Sequence, residues 1–176
     1  MATLVGSISV SSIMSQASAS NIPGGQPVTS LIRPKFTIAV PAGTAGTADN
    51  CDVKYSMPLT LAGTPTVLDL TNLKDVLGNA ISFGRVRSIT ITNLATGDTF
   101  IVHLGYATTT ANAWTALVSN PGQLTIAPSS LLNPGVFVMI APNTTGYLVT
   151  STSKLLNLDP GANTIPIQIE ITGCSV

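Results

Sequence analysis

Apolar and polar residues alternate with a period of two at many places along this chain, and that period marks strands with one buried face. The clearest run is Ile165 to Thr172. Ile165, Ile167, Ile169 and Ile171 fall on one face, and Pro166, Gln168, Glu170 and Thr172 on the other. One dry and one wet face predict an antiparallel sheet over a core. Pro166 has no N–H for a ladder, which places it at a strand start or an edge. The same alternation runs through Phe36, Ile38 and Val40, and through Tyr55, Met57, Leu59 and Leu61 around Pro58. It returns at Leu68 and Leu70, at Ile89 and Ile91, at Phe100, Val102 and Leu104, and at Tyr147 and Val149. Val136 to Ala141 is apolar throughout, which predicts a strand covered on both faces.

Turn signals separate these runs. Ala95 to Asp98 predicts a short hairpin loop between two strands. Asn133 to Gly135 and Pro142 to Gly146 bracket the apolar strand, and Asp159 to Gly161 precedes the last one. With 15 Gly and 12 Pro spread through the chain, few windows are long enough for a helix. One helical turn over Leu70 to Leu77, stopped at Gly78 and Asn79, is the exception. The spacing predicts an all-β fold: an antiparallel β-sandwich, jelly-roll-like, of about eight strands. Residues 1–33 differ, being rich in Ser and Gly with Pro23 to Gly25 in their middle. Two readings fit them. One is an extended N-terminal arm that gains order across a neighbour; the other is a first strand of the same sandwich, carrying Ile8 and Val10. The sandwich domain is drawn at 34–176.

Length and charge narrow the class. A chain of 176 residues fits one domain and can bury a core without disulfide or metal staples. Its hydrophobic fraction is 44% but its charged fraction only 8%, about a third of the usual soluble share. Seven basic residues balance seven acidic ones, for a net charge of zero. Near-zero charge favours association, and Ser, Thr and Asn take over the surface. That predicts an exterior covered by neighbours; a Thr-rich extracellular β domain is the alternative. Nucleic acid is not expected as a partner, because phosphate binding needs clustered Lys and Arg. Arg85 with Arg87, and Arg33 with Lys35, are pairs and not a stripe. No membrane partner is expected either, since apolar stretches such as Gly135 to Pro142 fall short of the roughly 20 residues of a spanning helix. The first positive side chain is Arg33, so the opening residues do not read as a signal peptide.

Candidate catalytic and metal-binding residues are sparse. His103 is the single histidine and reads as a half-exposed sheet position; no Gly-x-Ser-x-Gly elbow accompanies it. Cys51 and Cys174 read as two free thiols of a reducing cytoplasm, with a bridge closing the domain as the alternative. One His and two distant Cys make no standard zinc spacing. Asp49 and Asp52 lie close but match no calcium loop and read as solvated. Glu170 and Asp69 both point outward, with nothing to pair them as glycosidase carboxylates. Gly43 to Thr47 lacks a P-loop lysine and following helix. Asn143 to Thr145 matches a glycosylation sequon, a triplet common by chance in Thr-rich chains. Neither catalytic residues nor cofactors are expected. Trp114 and Tyr106 lie in a loop-like stretch and read either as exposed binding anchors or, for Trp114, as a plug at the end of the sandwich.

From Asp69 onward the residues DLTNLKDVLGNAISFGRVRSITITNLATGD, then NAWTALVSN, LNPGVFVMIAPNTTGYLVTSTSKLLNL and TIPIQIEITG, form a pattern that resembles a group of small virion structural proteins of tailed bacteriophages. The likeness runs from Asp69 to Gly173. Val136 stands where a second Gly is often seen after Pro134 and Gly135, and Asn143 stands where Asp is common; both departures touch turns. The resemblance implies a virion component made in the host cytoplasm, as a capsid decoration (cement) protein or as a tail or fibre protein. It implies the major capsid protein or other virion proteins as partners, and a homo-oligomer, trimer or dimer. It carries no catalytic residues. Ile8, Val10, Arg33, Trp114 and Tyr106 are the expected interaction residues. A carbohydrate-binding sandwich, with Trp114 and Tyr106 as stacking platforms, is the reading from another class.

Overall fold

The structure, a computed structural model, describes residues 6–11, 14–18, 28–32, 35–40, 51–75, 77–97, 99–105, 111–117, 123–128, 135–141 and 146–175. The described residues are all β and contain no helix. In chain order the strands are β1 (Gly6–Ser11), β2 (Met14–Ser18), β3 (Val28–Ile32), β4 (Lys35–Val40), β5 (Val53–Ala62), β6 (Thr66–Asp69), β7 (Leu73–Lys74) and β8 (Ala80–Ile81). There follow β9 (Arg85–Asn93), β10 (Val102–Gly105), β11 (Gln123–Ile126), β12 (Gly135–Ile140), β13 (Tyr147–Leu148), β14 (Leu155–Asp159) and β15 (Thr164–Cys174). All the ladders between them are antiparallel.

The chain divides into two compact units, Val5–Val40 and a larger one that takes in Pro41–Val176. In the smaller unit β1 pairs with β4, from Gly6 opposite Val40 to Ser11 opposite Lys35. β2 pairs with β3, from Met14 opposite Ile32 to Ser18 opposite Val28. The two ladders share one register, as two stretches of a long ribbon would. The boundary drawn at Pro34 falls inside this unit, because β4 is held by β1.

The larger unit has two main sheets. One runs β12–β9–β15–β5, with β13 also on β9. The other runs β11–β10–β14–β6, and β7 and β8 form a separate small hairpin. One core cluster draws on both main sheets. Ile89, Ile91, Ile165, Ile167, Ile169 and Ile171 enter it from the first, and Val102, Leu104, Leu156 and Leu158 from the second. The alternation predicted for Ile165 to Thr172 is observed: the four isoleucines are buried, while Pro166 is exposed and Gln168, Glu170 and Thr172 are half-buried. Pro166 sits where β9 has ended, and its carbonyl accepts a hydrogen bond from the Leu94 N–H at 2.9 Å. With no N–H to return that bond, Pro166 marks the end of the β15–β9 ladder.

Three local expectations give way to other structures. The stretch after β9 is not a hairpin loop, since β9 and β10 belong to different sheets. Asn93, fully buried, fixes this crossover. Its Nδ2 donates to the carbonyls of Phe100 at 2.7 Å and Ile126 at 3.3 Å, and its Oδ1 accepts from the Ala95 N–H at 3.1 Å. Nor does Leu70 to Leu77 turn helically. Asp75 instead closes the β7–β8 hairpin, its Oδ1 accepting from the backbone N–H groups of Leu77 and Asn79; such an Asp-centred turn competes directly with helix. The third is the apolar run Val136–Ala141, expected to be covered on both faces. Met139 and Ala141 are buried, but Val136 and Val138 are exposed.

At the end of β15 the ladder with β9 shifts between Thr172 and Gly173, leaving Arg87 as the extra residue of a bulge. A Cβ on Gly173 would collide with the Arg85 carbonyl and approach the Phe83 ring, so only Gly fits this close approach.

Candidate functional site

Three of the five expected interaction residues, Ile8, Val10 and Trp114, are described. Ile8 and Val10 lie on β1, opposite Ile38 and Phe36 of β4. Arg33 and Tyr106 lie outside the described residues, as do Asp49, Asn143 and residues 43–47. Trp114 is described and corrects the anchor reading, because it is only 3% exposed. Its backbone N–H donates to the Leu155 carbonyl. Its Nε1 donates to the Leu148 carbonyl at 2.9 Å, and its ring meets Tyr147 edge-on at 6.2 Å between centroids. It is a plug against β13, and a buried indole is no stacking platform for a sugar.

Most of the acidic groups among the described residues are engaged locally. Asp69 accepts from Thr71 through both N–H and hydroxyl, and from Lys154 Nζ at 2.7 Å. Burial by itself would raise its carboxyl, but those hydrogen bonds outweigh it and hold the group below the usual range. Glu170 lies in the other main sheet, 3.3 Å from Lys54, so the two carboxylates serve separate ion pairs. Asp52 holds the chain after β15, accepting from the Ser175 N–H at 2.7 Å and hydroxyl at 2.5 Å. Cys51 and Cys174 are buried free thiols within hydrogen-bonding reach of each other. Burial, then the neighbouring Cys174, pushes Cys51 from 9.0 up to about 11, so it is a protonated, poorly nucleophilic thiol at neutral pH. His103 lies on β10 between Thr125 and Asp159 of the flanking strands. Its Nδ1 is buried without a hydrogen-bond partner, whereas a triad histidine has that nitrogen oriented by a carboxylate. No group of three metal-ligating side chains occurs among the described residues. No helix among them is long and apolar enough to cross a membrane.

What stands out is the outer face of the β12–β9–β15–β5 sheet. Read across it, the side chains change character in register. β5 and β15 present Lys54, Ser56, Gln168 and Glu170; β9 presents Ser88, Thr90 and Thr92; β12 presents Val136, Val138 and Ile140. Lys54 and Glu170 lie on one side, and the other ends on the apolar strand β12. Val136 is 56% exposed and Val138 40%. Beside them on the sheet's edge, β13 carries Leu148, 53% exposed.

Backbone parity shows which groups of β12 face outward. The Ala141 N–H donates to the Arg87 carbonyl, so odd-numbered residues of this strand bond to β9 and even-numbered ones turn away. The N–H and C=O groups of Val136, Val138 and Ile140 thus point off the open edge, and no ladder among the described residues takes them. On β13 the equivalent outward carbonyl, that of Leu148, is taken by the Trp114 indole. The opposite edge of the sheet is β5, with Pro58 opposite Gln168. There the Gly63 N–H donates to the Asn163 carbonyl, so odd-numbered residues of β5 bond to β15. Pro58 faces outward and puts a ring where an N–H would stand. A sequence reading could have found this site from one signal, a strand apolar on both faces at a sheet edge, but only once its place in the sheet was known. No protein-family model, curated protein or solved structure matches the chain.

Proposed function

We propose that this chain is a structural protein of a tailed-bacteriophage particle, a decoration (cement) protein that binds the assembled head and stabilises it through contacts between subunits. In this reading the two main sheets stack as a β-sandwich of jelly-roll type, and the segment before it serves as an arm. The observation that carries the proposal is the exposed apolar strand β12 in a chain with 8% charged residues and no net charge. Such a surface is poorly suited to standing alone in water and well suited to being covered. The resemblance between Asp69 and Gly173 supplies the setting. The ribbon of β1–β4 supports the arm, because a two-stranded ribbon is marginal in water by itself and gains from a neighbour.

The mechanism is mechanical. Neighbours are the major capsid protein and further copies of this chain, arranged by the symmetry of the shell. Strand addition and apolar contact supply the adhesion without side-chain charge, and many modest contacts sum to a large avidity. Quantitative mass spectrometry of purified particles tests it. The expected result is a copy number matching the repeated positions of the capsid lattice. A few copies per particle would place the chain in a tail or fibre, and absence from particles would overturn the reading.

A further inference from the structure

We propose that the open edge of β12 is a homodimer interface, where a second copy of this chain pairs antiparallel with the first about a two-fold axis at Val138. This deepens the particle reading by naming a self-contact, and it rests on that reading only for the expectation that copies meet.

Four observations choose a second copy as the occupant. First, the edge is self-complementary. Val136, Val138 and Ile140 all direct their backbone groups outward, as the parity of the Ala141–Arg87 hydrogen bond requires. With Val138 opposite its own copy, Val136 stands opposite Ile140, and every facing pair is a hydrogen-bonded one. Three residues on each copy, each offering one N–H and one C=O, make about six backbone hydrogen bonds. Second, the facing side chains are Val, Val and Ile on both copies, β-branched pairs that suit adjacent strands. Two copies of this strand bring no charge against a like charge, whereas the Lys54 and Glu170 side of the sheet is remote from it. Third, the open length is bounded. The continuing edge at β13 is capped by the Trp114 indole on the Leu148 carbonyl, so the free stretch is β12 itself. Fourth, the other edge is closed to the same addition by Pro58. A sheet with two open edges would add copies without end; one open edge and one proline-blocked edge give a closed pair.

The test uses charge at the axis. Val138 is exposed on the separate chain, so Val138→Lys and Val138→Glu should fold, with wild-type circular dichroism and melting as the check. In the dimer the substituted side chain faces its own copy. Sedimentation equilibrium of the full-length protein should show a dimer for wild type. Each single variant should be shifted at least tenfold toward monomer, and an equimolar mixture of the two should recover the dimer as a heterodimer. Wild type that stays monomeric at high micromolar concentration overturns the proposal. So does a Val138→Lys protein that dimerises as wild type does, or a mixture that fails to recover. Presence in the particle is measured separately, so a monomer in solution would reject this interface while leaving the copy number to judge the particle reading.

Discussion

Cys51 and Trp114 show how much of this protein's local physics is set by burial. Cys51 is fully buried, and its thiol is raised from 9.0 to about 11 by desolvation and then by Cys174. A group raised in the folded state binds its proton more tightly there than in the unfolded chain. Its stabilising contribution is complete below about pH 9 and is lost as pH rises through about 11. Urea midpoints measured from pH 7 to 11 should therefore fall on the alkaline side. Cys51→Ala should flatten part of that fall, leaving the share from Cys174 and Tyr55, which burial also raises. An unchanged alkaline slope would mean that the thiol is wet. Trp114 illustrates the same force with another outcome. A large aromatic is costly to leave in water, and its one polar atom finds the Leu148 carbonyl. The indole can then be buried at no hydrogen-bonding cost and closes a strand edge.

The strands are organised by what interrupts them. Proline stands in the main sheet at the margins of its ladders: Pro166 where the β15–β9 ladder ends, and Pro58 on the outward side of β5. Asn93 ends β9 and turns the chain from one sheet to the other. Its amide satisfies two carbonyls and one N–H of the crossover. Asn93→Ala should strand these groups in a fully buried site and cost roughly 2–4 kcal/mol of unfolding free energy, with the buried carbonyls as the main penalty. Urea denaturation checks this, and a loss below about 0.5 kcal/mol would show that the crossover is held by other contacts.

Division of the chain into Val5–Val40 and the unit from Pro41 onward makes a prediction about independence. Among the residues whose burial is described, the core cluster of the larger unit runs from Tyr55 to Ile171, with Val53 packed against it. Deleting residues 1–40 removes the ribbon of β1–β4 entire and should leave a folded remainder whose melting temperature lies within about 4 °C of the full chain. Deletion at residue 33 instead would leave β4 without β1. Loss of cooperative melting on removal of 1–40 would show that the ribbon is part of the core. On the particle reading the shortened protein should also be incorporated less well.

Strand faces were legible from the amino-acid order because side-chain direction alternates by local geometry. That geometry alone puts Ile165, Ile167, Ile169 and Ile171 on one side, whatever they later pack against. The low charge was equally plain, and with it the expectation of covering neighbours. Pairing was not legible. Whether β9 continues into a hairpin or crosses to another sheet depends on the buried hydrogen bonds of Asn93, made with residues up to 33 positions away. The exposure of Val136 and Val138 was hidden for the same reason. An apolar run reads alike in the middle of a sheet and at its edge, and only the order β12–β9–β15–β5 puts this one at the edge. Local sequence sets which way each side chain points, but the partners that cover it come from distant parts of the chain, or from another chain, and are chosen by packing.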